Sequence, residues 1–381
     1  MPDVAADALL ITGARIVSGG AVVEDGWLAF ADGRVVARGA ATPPPHRGEV
    51  LDAAGRFVAP GFVDVHTHGG GGGEIGAGAD DLARTLEAHR AHGTTRTVLS
   101  LVSGTIDRLV AQLQDLAPVV RADPRLLGVH LEGPFLSPDA KGAHDPEALI
   151  APTAEAVDAL IAAADGTLAQ ITIAPELPGA TAAIRRLVAA GVRVAVGHTT
   201  ADLATAGAAF DAGASLLTHT FNAMPGLAHR APGPIGAALE RPEVVLELIA
   251  DGLHVHPILV GALFRLAPGR VALITDAMAA AGFGDGDYRL GSLEVTVRDG
   301  AARLPSGSLA GSTLTLDAAV RTSVAAGVPL SEAVLAASAT PARAIGRPDL
   351  GSLDVGSPAD AVLLSDALEV EGVWSDGHRL A

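Results

Sequence analysis

The sequence predicts an α/β protein: a (β/α)8 barrel of the TIM type, with a small β-sandwich domain put together from the two ends of the chain. Short, nearly continuous apolar runs alternate with Ala-rich stretches of helical length through the middle of the chain, as parallel strands covered on both faces require. Several of these helical stretches close alike, at Ala91-His92-Gly93, Ala189-Ala190-Gly191 and Asp211-Ala212-Gly213, with glycine where a helix end favours left-handed backbone. Eight apolar runs can be counted, and they cover about 250 residues, the size of one such barrel.

Taken in order, the chain begins with short strands at residues 9–17, 21–30 and 35–37, broken by Ser18-Gly19-Gly20 and by the hairpin signal Asp32-Gly33. The run Ala41-Thr42-Pro43-Pro44-Pro45 cannot sit in a central strand and is expected as an exposed connection. Candidate barrel strands follow at 63–68, 95–101, 126–132, 170–175, 192–199, 216–222, 244–251 and 271–276. After them come strands at 359–364 and 370–374, with turns at Gly356-Ser357-Pro358 and Asp376-Gly377. The expected division is a β-sandwich domain of residues 1–58 and 350–381 and a barrel of residues 59–349.

Composition narrows the class of function. The chain has 381 residues, 49% of them apolar, ample for a large core, and no run approaches the ~20 apolar residues of a membrane span. The start, Met1-Pro2-Asp3-Val4, carries acid where a signal peptide needs base, so the reading is a cytoplasmic protein. A net charge of −17 argues against nucleic acid or an anionic membrane as a partner, and a small anionic substrate would need a locally basic pocket. With no cysteine, any metal must be held by His, Asp or Glu, and there are 13 histidines to draw on.

Barrels of this kind carry their chemistry where the strands end at the C-terminal face, and the polar residues of this sequence collect there. In the first strand, Phe62-Val63-Asp64-Val65-His66-Thr67-His68, period-2 geometry puts His66 and His68 on one face, ahead of five glycines at 69–73. His130 and Glu132 close the third strand, His198 the fifth, His219 the sixth and Asp276 the eighth, while Asp251 and His254 follow the seventh. His46, His89, His92 and His378 fall on expected surface and receive no role. Glu132, His198 and His219 are a carboxylate and two imidazoles, a ligand set that leaves room for water. Such a site indicates metal-assisted hydrolysis, since a bound divalent cation lowers the pKa of water toward ~7.

The motifs His130-Leu131-Glu132-Gly133-Pro134-Phe135, Lys141-Gly142-Ala143-His144, Gly197-His198-Thr199, Thr218-His219-Thr220-Phe221-Asn222-Ala223-Met224, Asp251-Gly252-Leu253-His254 and Thr275-Asp276-Ala277 carry a resemblance nearly end to end. The chain resembles the amidohydrolase superfamily and, within it, the N-acetylglucosamine-6-phosphate deacetylases. The resemblance implies a metal-dependent hydrolase barrel that acts on a small-molecule sugar phosphate, with Glu132, His198 and His219 holding one divalent ion. Related barrels often bridge two ions with a carboxylated lysine, but Lys141, the only lysine, stands in a loop, so any bridging falls to Glu132. A second ion on His66, His68, Glu132 and Asp276 is left open, giving one or two per subunit. Zinc, iron and manganese all suit such ligands.

By the same resemblance, Asp276 is the catalytic general base, with a purely ligating role as the alternative, and His144 is the catalytic loop histidine that binds the acetyl carbonyl. Asn222, Ala223, Arg230 and His254 correspond to the phosphate-binding positions. Leu309, just ahead of Gly311-Ser312-Thr313, is placed with the substrate-binding residues. Two departures are modest: the form of the loop Ala228-His229-Arg230, and Phe221 where other aromatics or leucine occur. In the family the arginine at position 230 reaches the neighbouring subunit, which implies a homodimer. Three alternatives stand beside this reading: the galactosamine epimer as substrate, a cyclic-amide hydrolase, and a catalytically inactive sugar-phosphate-binding scaffold.

Overall fold

The structure is a computed structural model and describes residues 9–381. Residues 1–8, with the Met1-Pro2-Asp3-Val4 start and the beginning of the expected terminal domain, lie outside the described residues. Among the described residues, no helix is long and apolar enough to cross a membrane.

The eight apolar runs form one parallel sheet in sequence order. Its strands are β1 (Phe62–Thr67), β2 (Thr94–Val102), β3 (Leu126–Glu132), β4 (Leu168–Ile173), β5 (Arg193–Val196), β6 (Leu216–Leu217), β7 (Val245–Ile249) and β8 (Val271–Ile274). Nearly every residue in them is buried, because helices cover the outer face and side chains fill the inner one. Helix Ile106–Ala122 illustrates the cover: Thr105 caps its start by accepting from the Arg108 N–H, and Leu109, Leu113, Leu116 and Val120 form its buried stripe. Gly93 and Gly213 lie just past helices with φ of 89° and 112°, as the helix-end pattern predicts.

The barrel closes between β8 and β1 at their C-terminal ends. The Asp276 N–H donates to the His66 carbonyl at 2.8 Å, and the His68 N–H to the Ala277 carbonyl at 2.8 Å. Below this seam the fully buried Asp64 carboxylate accepts the Thr275 hydroxyl at 2.6 Å.

Several strands stop earlier than the apolar pattern suggests. β6 was expected to run to residue 222 and is two residues long. His219 and Phe221 take φ of 27° and 82°, a left-handed geometry that no ladder can continue. His198 (φ 45°) ends β5 early and Asp276 (φ 48°) follows β8 in the same way. The turns that shorten these strands swing their last side chains over the mouth of the barrel.

The two termini meet in a separate sheet. Phe57–Pro60 pairs in parallel with Leu9–Ser18 and antiparallel with Ala361–Leu364, which joins the N-terminal strands to the C-terminal ones. Ile11, Ile16, Leu28, Phe30, Val58 and Trp374 are buried in its own core. Arg96 of β2 ties this sheet to the barrel. Its guanidinium is buried and donates to Asp360 at 2.6 and 3.0 Å and to Asp376 at 2.7 Å. Removing one member of a buried pair strands the other charge, so Arg96→Met should destabilise the fold by about 3–5 kcal/mol. The midpoint of urea unfolding reports it, and an unchanged midpoint would show that the pair is energetically idle.

Between residues 286 and 303 the chain leaves the barrel as a three-stranded antiparallel sheet (Gly286–Leu290, Leu293–Arg298, Ala301–Arg303) packed on Met278 and Ala280, with the Gly291 N–H donating to Glu74 at 2.8 Å. One feature differs from expectation: His89 is not at the surface. It is buried, with Nε2 2.9 Å from the Gly69 carbonyl and 3.3 Å from the Thr67 hydroxyl. A Cβ on Gly70 would come within 2.9 Å of that ring, so the glycine stretch leaves the space that the imidazole occupies. Of the other histidines expected at the surface, His378 is exposed, His46 is half-buried, and His92 is half-buried against Asp317.

Candidate active site

Among the described residues, two groups bring ligand-type atoms within 4.8 Å of one another. They are His66, His68, Glu132 and Asp276 on one side, and Glu132, His198 and His219 on the other. Glu132 is common to both. Its Oε1 lies 3.0 Å from Nε2 of both His198 and His219, while Oε2 lies 3.0 Å from His68 Nε2 and 3.5 Å from His66 Nε2. Asp276 Oδ1 stands 3.4 Å from His68 Nε2 and 3.5 Å from His66 Nε2.

Ring nitrogens also face each other directly, His198 against His219 at 2.9 Å and His66 against His68 at 3.1 Å. Two lone pairs cannot share that space without a proton or a cation between them. A cluster this acidic and this buried needs positive charge, and imidazoles on carboxylates are the donor set of a divalent transition metal. The residues fit such an ion.

The tautomers support the same assignment. His198 Nδ1 lies 3.0 Å from the Ala140 carbonyl, which can only accept, so Nδ1 carries the proton and Nε2 offers its lone pair to the cluster. His66 is set likewise by Glu247, whose Oε2 is 3.3 Å from Nδ1. His144 is turned the other way. Its Nδ1 accepts the Ser103 N–H at 3.4 Å, so its Nε2–H faces Glu132 Oε2 at 3.4 Å and the cavity. His130, at the end of β3, belongs to neither group and is held at 3.0 Å by both Ser100 and Thr172.

Burial opposes charge on every one of these groups, and local partners decide which ones resist it. Against that desolvation, the close imidazoles of His66, His144, His198 and His219 together hold Glu132 well below the usual carboxylate range. Asp276 is also held low: burial pushes it up, but His66 and His68 together outweigh burial. For His68, hydrogen bonds to Asp276 and Glu132 outweigh burial and raise the imidazole to about 9. His198 yields to burial and to neighbouring His144 and falls to about 4, a neutral ring ready to ligate. Burial, aided by His66, takes His130 well below its ordinary value, consistent with a neutral core histidine.

The cluster forms the floor of a cavity of about 190 Å³. His144, Asn222, Ala223, His254 and Leu309, all anticipated from sequence, line it. His254 is oriented by Asp251, whose Oδ2 lies 2.6 Å from Nδ1 and whose Oδ1 accepts the Leu253 and His254 N–H groups at 2.8 Å each. Arg230 is exposed and does not line the cavity of its own chain. Sequence reasoning missed Leu290 and Val102 in the cavity wall, and Glu247 behind His66. Glu247 left a signal, a lone carboxylate within the apolar run Val244-Val245-Leu246-Glu247-Leu248-Ile249.

Comparison with known proteins agrees with this geometry. The model of the amidohydrolase family matches residues 57–380. An N-acetylgalactosamine-6-phosphate deacetylase of Escherichia coli O157:H7 is 40% identical over 367 residues, covering 94% of this chain and 96% of that protein. An N-acetylglucosamine-6-phosphate deacetylase of Vibrio furnissii is 38% identical over 325 residues, 84% of this chain and 82% of that protein. Among solved structures, a mutant N-acetyl-D-glucosamine-6-phosphate deacetylase from Mycobacterium smegmatis, in complex with N-acetyl-D-glucosamine 6-phosphate, matches with a TM-score of 0.94. It is 43% identical and covers 98% of this chain and 100% of that one. With a closed parallel barrel, a Glu-bridged histidine cluster at its mouth and relatives matched over nearly their whole length, the chain belongs to the amidohydrolase family, in the branch that holds the N-acetylglucosamine- and N-acetylgalactosamine-6-phosphate deacetylases.

Proposed function

We propose that this protein hydrolyses the acetamide of N-acetyl-D-glucosamine 6-phosphate to D-glucosamine 6-phosphate and acetate, as a metal-dependent cytoplasmic enzyme of amino-sugar metabolism. The observation that carries the proposal is the pair of ligand groups sharing Glu132 on the floor of a cavity that also holds His144, Asn222 and His254. Glu132, His198 and His219 would hold one divalent ion, and His66, His68, Glu132 and Asp276 a second. A divalent cation there supplies the charge that polarises an amide carbonyl and acidifies water at neutral pH.

The chain's own residues do the rest. Asp276 sits at the edge of the cluster, on the cavity, where its carboxylate takes a proton from the attacking water and passes it to the departing amine as the C–N bond breaks. His144 presents Nε2–H to the acetyl oxygen, with the Ser103 N–H fixing that tautomer. Asn222, the backbone of Ala223 and His254 receive the phosphate end, with Asp251 steadying His254. Leu309 closes the wall of the site.

The galactosamine epimer is the second reading, favoured by the E. coli relative that bears that name. One assay separates the two readings. Metal-loaded protein is incubated with phosphorylated and unphosphorylated N-acetylglucosamine and N-acetylgalactosamine, and free amine is measured. The expected result is turnover of phosphorylated N-acetylglucosamine above its epimer; turnover of neither phosphorylated sugar would overturn the proposal.

Arg230 completes the reading as a homodimer. It lies in the stretch 225–234, rich in Pro, Gly and small residues, and is exposed in its own subunit, as a residue reaching a partner's phosphate site would be. Hydrogen bonds to charged groups are among the stronger ones, so Arg230→Ala should lower kcat/KM by roughly one to two orders of magnitude, mostly through KM. Co-refolding Arg230→Ala chains with Asp276→Asn chains tests the exchange between subunits. A mixed dimer then owns one site with Asp276 from the first chain and Arg230 from the second, so activity should exceed that of either parent. No recovery would place Arg230 in its own chain's site.

A further inference from the structure

We propose that Glu247 is a positioning residue for the ion site formed by His66, His68, Glu132 and Asp276: it keeps the proton of His66 on Nδ1 and backs that ion with a negative charge. The inference rests on the metal-dependent reading above and deepens it, because it names what equips that half of the cluster to hold a cation.

Glu247 stands in the middle of β7 and is 0% exposed. Its carboxylate touches two side chains. Gln170 of β4 reaches across the barrel and donates Nε2–H to Oε1 at 2.7 Å, and His66 Nδ1 lies 3.3 Å from Oε2. Among the described residues, no Arg or Lys pairs with it. A carboxylate taken fully out of water is costly unless a positive charge compensates it, and a single amide donor cannot supply one. The charge has to come through His66.

The ring of His66 is aligned for this. Its Nδ1 faces Glu247, while Nε2, on the opposite side, lies 3.1 Å from His68 Nε2 and 3.5 Å from each of Glu132 and Asp276. Carboxylate, imidazole and ion site thus form a chain in which the carboxylate both fixes the tautomer and makes the ring a better donor. The other half of the cluster is built differently. His198 is backed by a neutral carbonyl, that of Ala140, and among the described residues the buried Nδ1 of His219 has no hydrogen-bond partner. Glu247 therefore serves the His66 side selectively.

The surroundings provide graded variants. Among the described residues the buried Oε1 of Gln170 has no hydrogen-bond partner, so its amide can turn over. Glu247→Gln can then keep hydrogen bonds to both neighbours while losing the charge, whereas Glu247→Leu loses both functions. The experiment strips the full-length protein of metal and titrates it with Zn2+ against a chromophoric chelator, reading equivalents and dissociation constants. Wild type should take two equivalents. Glu247→Leu should weaken one of them by about 10–100-fold, with Glu247→Gln between the two and the other ion unchanged, which also reports that the site is folded. Nitrogen-15 histidine spectra should show His66 leaving the Nδ1–H form in the Leu variant. Unchanged constants in both variants, equal weakening of both ions, or a single equivalent in the wild type would each overturn the inference. If the Leu variant does not fold, Glu247→Gln carries the test. Amine release from the sugar phosphate is followed in the same wild-type sample: its absence would sink the substrate reading, while a Glu247-dependent affinity would stand.

Discussion

Alanine at His198 or His219 is expected to release the ion held with Glu132 and to take nearly all turnover with it. Each ring supplies one of three donors in that group, and with one gone only Glu132 and a single imidazole remain. A bound cation contributes several kcal/mol of charge stabilisation in amide hydrolysis, and about 1.4 kcal/mol is tenfold in rate, so the loss should be roughly 10³-fold or more. Alanine at His66 or His68 should instead remove only the ion on the other side, leaving the Glu132, His198 and His219 group complete. Elemental analysis of purified variants beside the amine-release assay decides the matter. Unchanged metal content in His198→Ala would refute the assignment of the core ligands.

Asp276→Asn is the second large effect. The amide has the shape of the carboxylate but cannot accept a proton at neutral pH, and general acid–base catalysis is worth about 10²–10⁴-fold. Turnover should fall by at least that range, while Asn222, Ala223 and His254 still hold the phosphate end, so binding measured by calorimetry should persist. Asp276 also faces His66 and His68, and the substitution should weaken the ion on that side. Near-normal turnover in Asp276→Asn would move proton transfer to another group, with His144 first in line because its ring also lines the cavity.

How much of this could be read from the chain alone differs from residue to residue. The clustering of the donor residues was legible because period 2 places His66 and His68 on one face and because Glu132, His198, His219 and Asp276 all end apolar runs. Glu247 was not, since one carboxylate in an apolar strand reads the same whether it meets an arginine, a ligand or a histidine. Its meaning depends on Gln170 and His66, residues 77 and 181 positions away. Leu290 was missed for a similar reason: only packing of its three-stranded sheet on Met278 and Ala280 brings that residue to the cavity. His89 read as surface because a histidine near a helix end usually is, and only the bare glycine backbone beneath it made room for its ring.

The sequence by itself determined the alternation of strand and helix, the face on which each first-strand histidine lies and the chemical types of the donors, because these are local properties of short periodic segments. The tertiary structure alone decided which donors are brought together, which ring nitrogen each histidine presents and where Arg230 stands relative to its own site. Those outcomes depend on register and closure. The seam between β8 and β1 brings Asp276 to His66 through backbone hydrogen bonds, and the left-handed turns at His198, His219 and Asp276 aim their side chains inward. Both are set by contacts between residues far apart in the chain, which no local pattern records.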